Sequence, residues 1–335
     1  MKIRFIIIIL CFTYKLSLAQ ICDSLLIQSI TNPGPNNIDH INQSDGMRNS
    51  AYYSDATIFY PINLLGIEPL TSIIMIPGYA NTQSTINNWG IYFASHGIAA
   101  MTLETNSLLD SHTQRRDALL DALITLKQEN FRFSSPLFLN LDTNSVAVGG
   151  FSKGGGGAQL SAVNNPNIKA VVALYPWLDN PMPNELNHNV PVLIISGELD
   201  VIAPPYAHAD IHYNYTPSST NKLKYEIQNA SHDVISGPYG GGGFAGIIAL
   251  SWLKTYLIGD TCYCPILLNT PNTASDYDHN ITCDNINTDI INFKKERKLI
   301  NTFDVFGRIV SADKKNQLLL YLYNDGYIEK KIHTR

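Results

Sequence analysis

Gly150-Phe151-Ser152-Lys153-Gly154 is the stretch on which the reading of this chain turns. A short apolar run, Val146-Ala147-Val148-Gly149, precedes it, and small residues from Gly154 to Ala158 follow it. A serine between two glycines, where a strand turns into a helix, is the pattern of a nucleophile elbow. The turn is so tight that its neighbours must be nearly free of side chains. The serine hydroxyl is then left at the top of a sheet, and the next backbone N–H groups point into the same space. Glycine and serine are common, so the pentapeptide gains weight only from its surroundings: a strand before it, a helix after it, and an acid and a histidine later in the chain.

Outward from the elbow, apolar runs at 56–60, 72–76, 98–103, 146–149, 170–174, 192–196 and 223–227 read as buried strands. Between them, 86–95, 111–128, 153–163 and 244–257 read as helices. In the helix over 111–128, Leu119, Leu120, Leu123, Ile124 and Leu126 lie toward one face, and Arg115, Arg116, Asp117 and Asp121 toward the other. Residues 20–50, rich in Asn, Pro, Gly and Ser, read as irregular. Strands alternating with helices give an α/β class, a mostly parallel sheet with helices on both faces. In such a sheet the chemistry sits at the carboxyl ends of the strands.

The ends of the chain read differently. Lys2 and Arg4 precede the apolar run 5–12, and Ser17-Leu18-Ala19 precedes Gln20, the order of a cleaved signal peptide over 1–19. The run is shorter than the ~20 apolar residues a spanning helix needs. Cys22, Cys262, Cys264 and Cys283 remain after Cys11 leaves with the signal, and an exported chain can oxidise them. Cys262 and Cys264 stand too close for an easy mutual bridge, so Cys283 is expected to pair with one of them and Cys22 with the other. A catalytic domain over 20–283 gives way to an Asn- and Asp-rich linker over 284–295. Short strands at 298–304, 306–310, 318–323 and 327–332, with a hairpin turn at Asp325-Gly326, make 296–335 a small all-β module. A net charge of −5 gives no reason to expect a nucleic acid or another polyanion as partner. No metal or cofactor motif stands out, and a monomer is expected.

Acyl transfer by a serine needs a base, an acid that orients the base, and donors for the oxyanion. Ser152 takes the first place. Asp200, in the loop after the 192–196 strand, is the candidate acid, with Glu198 its nearest competitor and a helix N-cap its bland alternative. His232, just past the 223–227 strand, is the candidate base. His208 and His212 have i,i+4 spacing, but no His-Glu-x-x-His surrounds them, and an exposed helix face is the plainer account. The N–H groups of Lys153 and Tyr79 are the candidate oxyanion donors, Tyr79 lying in the loop after the 72–76 strand. The glycines from Gly154 to Gly157 carry no phosphate-loop pattern and are expected to bring the helix close to neighbouring backbone.

These motifs together resemble the bacterial cutinase and poly(ethylene terephthalate) hydrolase family. The likeness runs through Ile76-Pro77-Gly78-Tyr79-Ala80, Trp89-Gly90, Ala94-Ser95-His96-Gly97-Ile98, Glu104-Thr105-Asn106-Ser107, the elbow, Asn164-Asn165-Pro166, Pro176-Trp177, the segment from Glu198 to Pro204, and Ser231-His232. It implies an α/β-hydrolase fold and hydrolysis of esters in polyesters, cutin-like polymers or lipids. It carries Ser152, Asp200 and His232 over as the triad, and Tyr79 and Lys153 as the oxyanion pair. Tyr79, Phe151, Trp177 and Ile202 become substrate contacts. The family usually has Met where Lys153 stands and His or Trp where Phe151 stands, and Gly197 and Val234 preclude a disulfide seen in one branch. These departures bear on polymer preference and leave ester hydrolysis alone.

The final module resembles the sorting domain of the type IX secretion system, through Phe303-Asp304-Val305-Phe306-Gly307-Arg308, Asn324-Asp325-Gly326 and Glu329-Lys330-Lys331. That likeness implies passage across the outer membrane by a secretion machinery, with a secreted or surface-held product. A β-module that binds a surface or polysaccharide is the alternative. For the whole chain the expected function is a secreted carboxylic-ester hydrolase acting on polyester or cutin-type substrates. A lipase or small-ester esterase is the enzymatic alternative, and a non-catalytic surface-binding protein the alternative of another class.

Overall fold

The strands form where apolar residues run without interruption. In the 72–76 segment Ser72, Ile73, Ile74, Met75 and Ile76 are all buried, so both faces of the sheet are covered there. The computed structural model describes residues 30, 33–232, 234–283, 299–312, 314–315, 317–323 and 328–332. The expected signal peptide, Cys22, the linker over 284–295 and the Asp325-Gly326 turn lie outside the described residues. The chain divides into two compact units at Asn287/Thr288.

The first unit is built on a nine-stranded sheet. In chain order its elements are β1 (Ile38–Asn42), β2 (Asp55–Pro61), β3 (Leu70–Ile76), α1 (Asn87–Ser95), β4 (Ala99–Glu104), α2 (His112–Phe131), β5 (Leu141–Phe151) and α3 (Lys153–Asn164). Next come β6 (Val171–Leu174), β7 (Val192–Gly197), α4 (Ala209–Tyr215), β8 (Lys222–Ile227), α5 (Phe244–Leu253), α6 (Cys264–Leu267) and β9 (Ala274–His279). Their order across the sheet is β1-β2-β4-β3-β5-β6-β7-β8-β9. The strands from β4 through β8 pair in parallel. β1, β2 and β9 join antiparallel at the two edges.

Helices cover both faces. Ala118, Leu119, Ala122 and Leu126 of α2, with Ala158 and Ala162 of α3, share one core cluster with Ile74, Ile76, Val148 and Ile194. On the opposite face α1 approaches so closely that a Cβ at Gly90 would come 2.8 Å from the Phe59 ring. This is the mostly parallel sheet with helices on both faces that the alternating pattern implies, and it is consistent with the α/β-hydrolase fold that the resemblance implies.

The outward and inward faces of α2 differ from the sequence expectation. Ser111 caps this helix through a capping box with Gln114. Arg115 is 0% exposed and Asp121 is buried, whereas Ile124 is 48% exposed. Arg115 lies on the same helical stripe as Ala118, Leu119 and Ala122, so a cation occupies an apolar face. Asp121 turns inward to accept from Arg48 at 2.6 and 2.9 Å and from Ser50 at 2.6 Å. The hydrogen bond from Arg48 holds the Asp121 carboxyl below its ordinary range.

Other boundaries also shift. β1 falls in the segment read as irregular, and β9 carried no strand expectation. Both are short edge strands with few buried residues and polar side chains interspersed, which weakens the alternation that betrays a strand. The last long helix gives way to a π turn over Lys254–Ile258. Cys264 is the cysteine that pairs with Cys283, at a Cα separation of 5.8 Å.

The second unit holds an antiparallel three-stranded sheet, β10 (Leu299–Asp304), β11 (Leu318–Tyr323) and β12 (Ile328–Ile332). The strand expected over 306–310 reduces to one bridge between Phe303 and Ile309. A tight turn replaces it: the Asp304 carboxylate accepts the Phe306 and Arg308 N–H groups at 2.9 and 3.0 Å.

Candidate active site

The elbow forms at the end of β5, near the middle of the sheet. Ser152 has φ 53° and ψ −119°, a conformation that an L-residue adopts only under constraint. Neighbouring backbone supplies that constraint. The Ser152 N–H donates to Leu174 O at 2.9 Å, and Ser152 O accepts from Trp177 N–H at 2.9 Å. The glycines act as expected. A Cβ at Gly154 would lie 2.5 Å from Ile76 O, and one at Gly156 would lie 2.1 Å from Trp177 O. Only hydrogen at these positions lets α3 start directly beneath the turn.

The loop after β3 lies against the elbow. A Cβ at Gly78 would stand 2.9 Å from the Cβ of Ser152. Tyr79, the next residue, is therefore brought beside the serine. Among the described residues neither the Tyr79 nor the Lys153 N–H donates to a loop or cap acceptor, so both are free for a ligand oxygen. The loop is held from below by Arg115, a residue the sequence reading set on the outer face of its helix. Its Nε donates to Pro77 O at 2.9 Å and its Nη2 to Gly78 O at 2.8 Å. Burial lowers the Arg115 pKa to about 10, which still leaves it charged near neutral pH.

Asp200 and His232 leave adjacent strand ends, β7 and β8. The two loops are tied together: Leu199 N–H donates to Ala230 O at 2.8 Å, and Glu198 Oε2 accepts the Asn229 N–H at 2.8 Å. Glu198, the competing carboxylate, is thus occupied in joining the loops. Asp200 Oδ2 lies 2.5 Å from His232 Nδ1, while Oδ1 accepts the N–H groups of Ile202 and Ala203 at 2.9 and 2.7 Å. A carboxylate only accepts, so Nδ1 is the donor in this pair, and in the neutral ring Nε2 keeps a lone pair. The His232 ring rests on Phe151, with ring centres 4.9 Å apart. Phe151, expected to touch substrate, is only 3% exposed, and its ring supports the histidine instead of lining the cleft.

The remaining expected contacts surround the elbow unevenly. Tyr79 is 47% exposed and Ile202 57%. Trp177 stacks on His208 with ring centres 4.1 Å apart and 26° between planes. His208 and His212 are both buried, which corrects the exposed-face reading of this pair. His208 backs the tryptophan, and His212 Nδ1 bonds to Gln159 Oε1. Burial lowers both imidazoles, His212 to about 3, so neither is charged near neutral pH. Among the described residues no group of three His, Cys, Asp or Glu side chains could hold a metal.

Asp179 was not anticipated. Its Oδ1 accepts from Trp177 Nε1 at 2.7 Å, and its Oδ2 lies 3.8 Å from Lys153 Nζ. The hydrogen bond from Trp177 is the main reason its carboxyl sits below the ordinary range. No spacing signals Asp179. Arg115 left a signal that went unused, because its separation from the apolar residues of α2 placed it on their stripe.

The family model for PET hydrolase-like proteins (PETase) matches residues 32–285. The chain belongs to this family. It is 36% identical over 239 residues to cutinase est1 of Thermobifida alba, covering 69% of this chain and 75% of that one. It is 34% identical over 224 residues to cutinase 2 of Thermobifida cellulosilytica, covering 65% of this chain and 79% of that one. With the bis(hydroxyethyl) terephthalate hydrolase of Streptomyces coelicolor it shares 32% identity over 219 residues, 64% of this chain and 67% of the relative. As a member of the PET hydrolase-like family the protein is a carboxylic-ester hydrolase. The matched region contains the elbow, the loop after β3 and the β7 and β8 loops.

Proposed function

We propose that this ester hydrolase cleaves polyester or cutin-type substrates through Ser152, His232 and Asp200, and that it works outside the cell. The observation that carries the reading is the 2.5 Å pair of Asp200 with His232 Nδ1, set beside a strained serine turn. His232 takes the Ser152 proton at Nε2 as Oγ bonds to the ester carbonyl carbon. The carbonyl oxygen becomes an oxyanion, held by the N–H groups of Tyr79 and Lys153. Collapse breaks the bond to the alcohol, which leaves with the proton from His232. Water then attacks the acyl-enzyme with the same base, releasing the acid and restoring Ser152. Tyr79, Trp177 and Ile202 supply the aromatic and apolar cleft.

A polymer substrate is favoured by the rim of the site. Leu109 after β4, Met182 after β6, and Val201, Ile202 and Tyr206 after β7 are all exposed, in loops at the carboxyl ends of parallel strands. Exposed apolar groups along that edge of the sheet suit an apolar surface. The signal-like segment and the disulfide fit export, and the β-module is proposed to guide the chain through the type IX route. The test is Ser152→Ala, which should abolish p-nitrophenyl ester turnover and fluorophosphonate labelling while the circular dichroism spectrum stays unchanged. Retained turnover would refute the assignment of the nucleophile. Product release from an amorphous aromatic polyester film, set against short-chain esters, separates a polyesterase from a small-ester esterase.

A further inference from the structure

Lys153 sets an ammonium beside the aromatic side chains of the candidate site. Its Nζ lies 4.9 Å from the centre of the Tyr79 ring and 3.8 Å from Asp179 Oδ2. Asp179 in turn holds the Trp177 indole at 2.7 Å. The ammonium therefore stands between the two aromatic walls, one residue from the candidate nucleophile. Neither contact uses one of its N–H donors as a hydrogen bond, since a ring face has no lone pair to offer and 3.8 Å is too long. Among the described residues no other acceptor reaches it, and the ammonium's three donors remain unspent.

Asp179 does not cancel this charge toward the cleft. One of its oxygens is occupied by Trp177, and His112 Nδ1 lies 3.6 Å from the other. Burial lowers the His112 pKa, so that ring adds no charge near neutral pH. An anion that comes within hydrogen-bonding reach of the ammonium on the side away from Asp179 lies nearer to it than to the carboxylate, which leaves a net attraction.

We infer that Lys153 makes the cleft selective for esters whose acyl part bears a free carboxylate: half-esters of dicarboxylic acids and carboxylate-ended oligoesters. The inference rests on the ester-hydrolase reading above and names a substrate class within it. Polyester hydrolysis generates such molecules. Each internal cut adds water across one ester bond, leaving an alcohol on one fragment and a carboxylic acid, ionised at neutral pH, on the other. A cleft walled only by apolar groups must strip water from that carboxylate without return, whereas an ammonium with free donors accepts it. The protein is thereby suited to trimming fragments that an earlier internal cleavage has released.

The test compares kcat/KM for mono(2-hydroxyethyl) terephthalate, an anion, and bis(2-hydroxyethyl) terephthalate, its neutral counterpart. Lys153→Met should lower the anion-to-neutral ratio about tenfold, the scale of one lost charge-assisted hydrogen bond. Lys153→Arg should keep the ratio. Asp179→Asn, which removes the competing carboxylate, should raise it, and added salt should reduce it in the unaltered protein. Thermal midpoints of the variants are read alongside to establish that each is folded. Normal turnover of the neutral diester with a ratio unmoved by Lys153→Met and Asp179→Asn would overturn this inference alone. Absence of turnover of either ester, with no fluorophosphonate labelling of Ser152, would overturn the underlying reading and this inference with it.

Discussion

Arg115 shows how a single side chain far from the reacting atoms can set their geometry. It is fully buried, yet its hydrogen bonds go to the backbone carbonyls of Pro77 and Gly78. Those carbonyls belong to the loop that presents the Tyr79 N–H beside Ser152. Arg115→Met should leave the buried Pro77 carbonyl unpaired, since Gly78 O still accepts from the Asn81 N–H, and cost about 1–3 kcal/mol of stability. With Tyr79 as the proposed oxyanion donor, it should also lower kcat for a soluble ester about tenfold with KM little changed, because that donor would act on the oxyanion and not on bound substrate. Denaturant midpoints and steady-state kinetics, measured well below the melting range, check both effects. An unchanged kcat would mean that other contacts suffice to hold the loop. The candidate triad was easier to find than this support, since Ser152, Asp200 and His232 each follow a buried apolar strand and keep a fixed chain order. Arg115 and Asp179 serve neighbours distant in sequence: the helical spacing of Arg115 marks it as buried but not what it holds, and the flanks of Asp179 mark neither. Phe151 was misread for a related reason: sequence gives its adjacency to the nucleophile but not the side of the turn its ring takes.

Element α4 couples core packing to the aromatic wall of the cleft. Its N-cap residue, His208, stacks on Trp177, and one turn later the helix buries His212 against Gln159 of α3. The i,i+4 spacing was plain in the sequence. It could not show which way the face points, because histidine pairs occur on wet and dry faces alike. Burial lowers the His212 pKa to about 3, against the ordinary imidazole value of 6.5. As pH falls below 6.5 the unfolded chain takes up this proton and the folded chain does not. The stability linked to His212 is therefore complete above that value and is lost as pH falls toward 3. By pH ~4.5 the loss from this group should be about 2–3 kcal/mol. Urea unfolding at neutral and acid pH should show it, and His212→Gln should make the pH-dependent loss smaller by a similar amount. An equal loss in both proteins would mean that the acid sensitivity arises elsewhere. The edge strands β1 and β9 make the complementary point. They lie outside the parallel core, where exposure removes the apolar alternation that made the inner strands legible.

At the scale of the whole molecule, everything assigned to the chemistry lies in the first unit, between Tyr79 and His232. That unit carries its own closure. The disulfide from Cys264 to Cys283 bridges 19 positions and encloses β9, the strand that completes the sheet beside β8. Linking the ends of such a loop restricts the unfolded chain, an effect worth about 3 kcal/mol in the chain-entropy picture. The second unit forms a separate three-stranded sheet with its own small core at Leu319 and Tyr321. A chain ending after residue 287 should therefore keep kcat/KM for p-nitrophenyl esters within about twofold of the full chain, with a similar melting midpoint. Its export from a host with the type IX machinery should fail if the second unit is a sorting domain. If that unit instead binds a surface, export should persist while retention on a polymer or polysaccharide falls. A tenfold loss of soluble-ester turnover on truncation would show that the site depends on residues beyond 287. These readouts separate cleanly because the proposed chemistry on a soluble ester draws only on the elbow, the two strand-end loops and the loop that Arg115 holds.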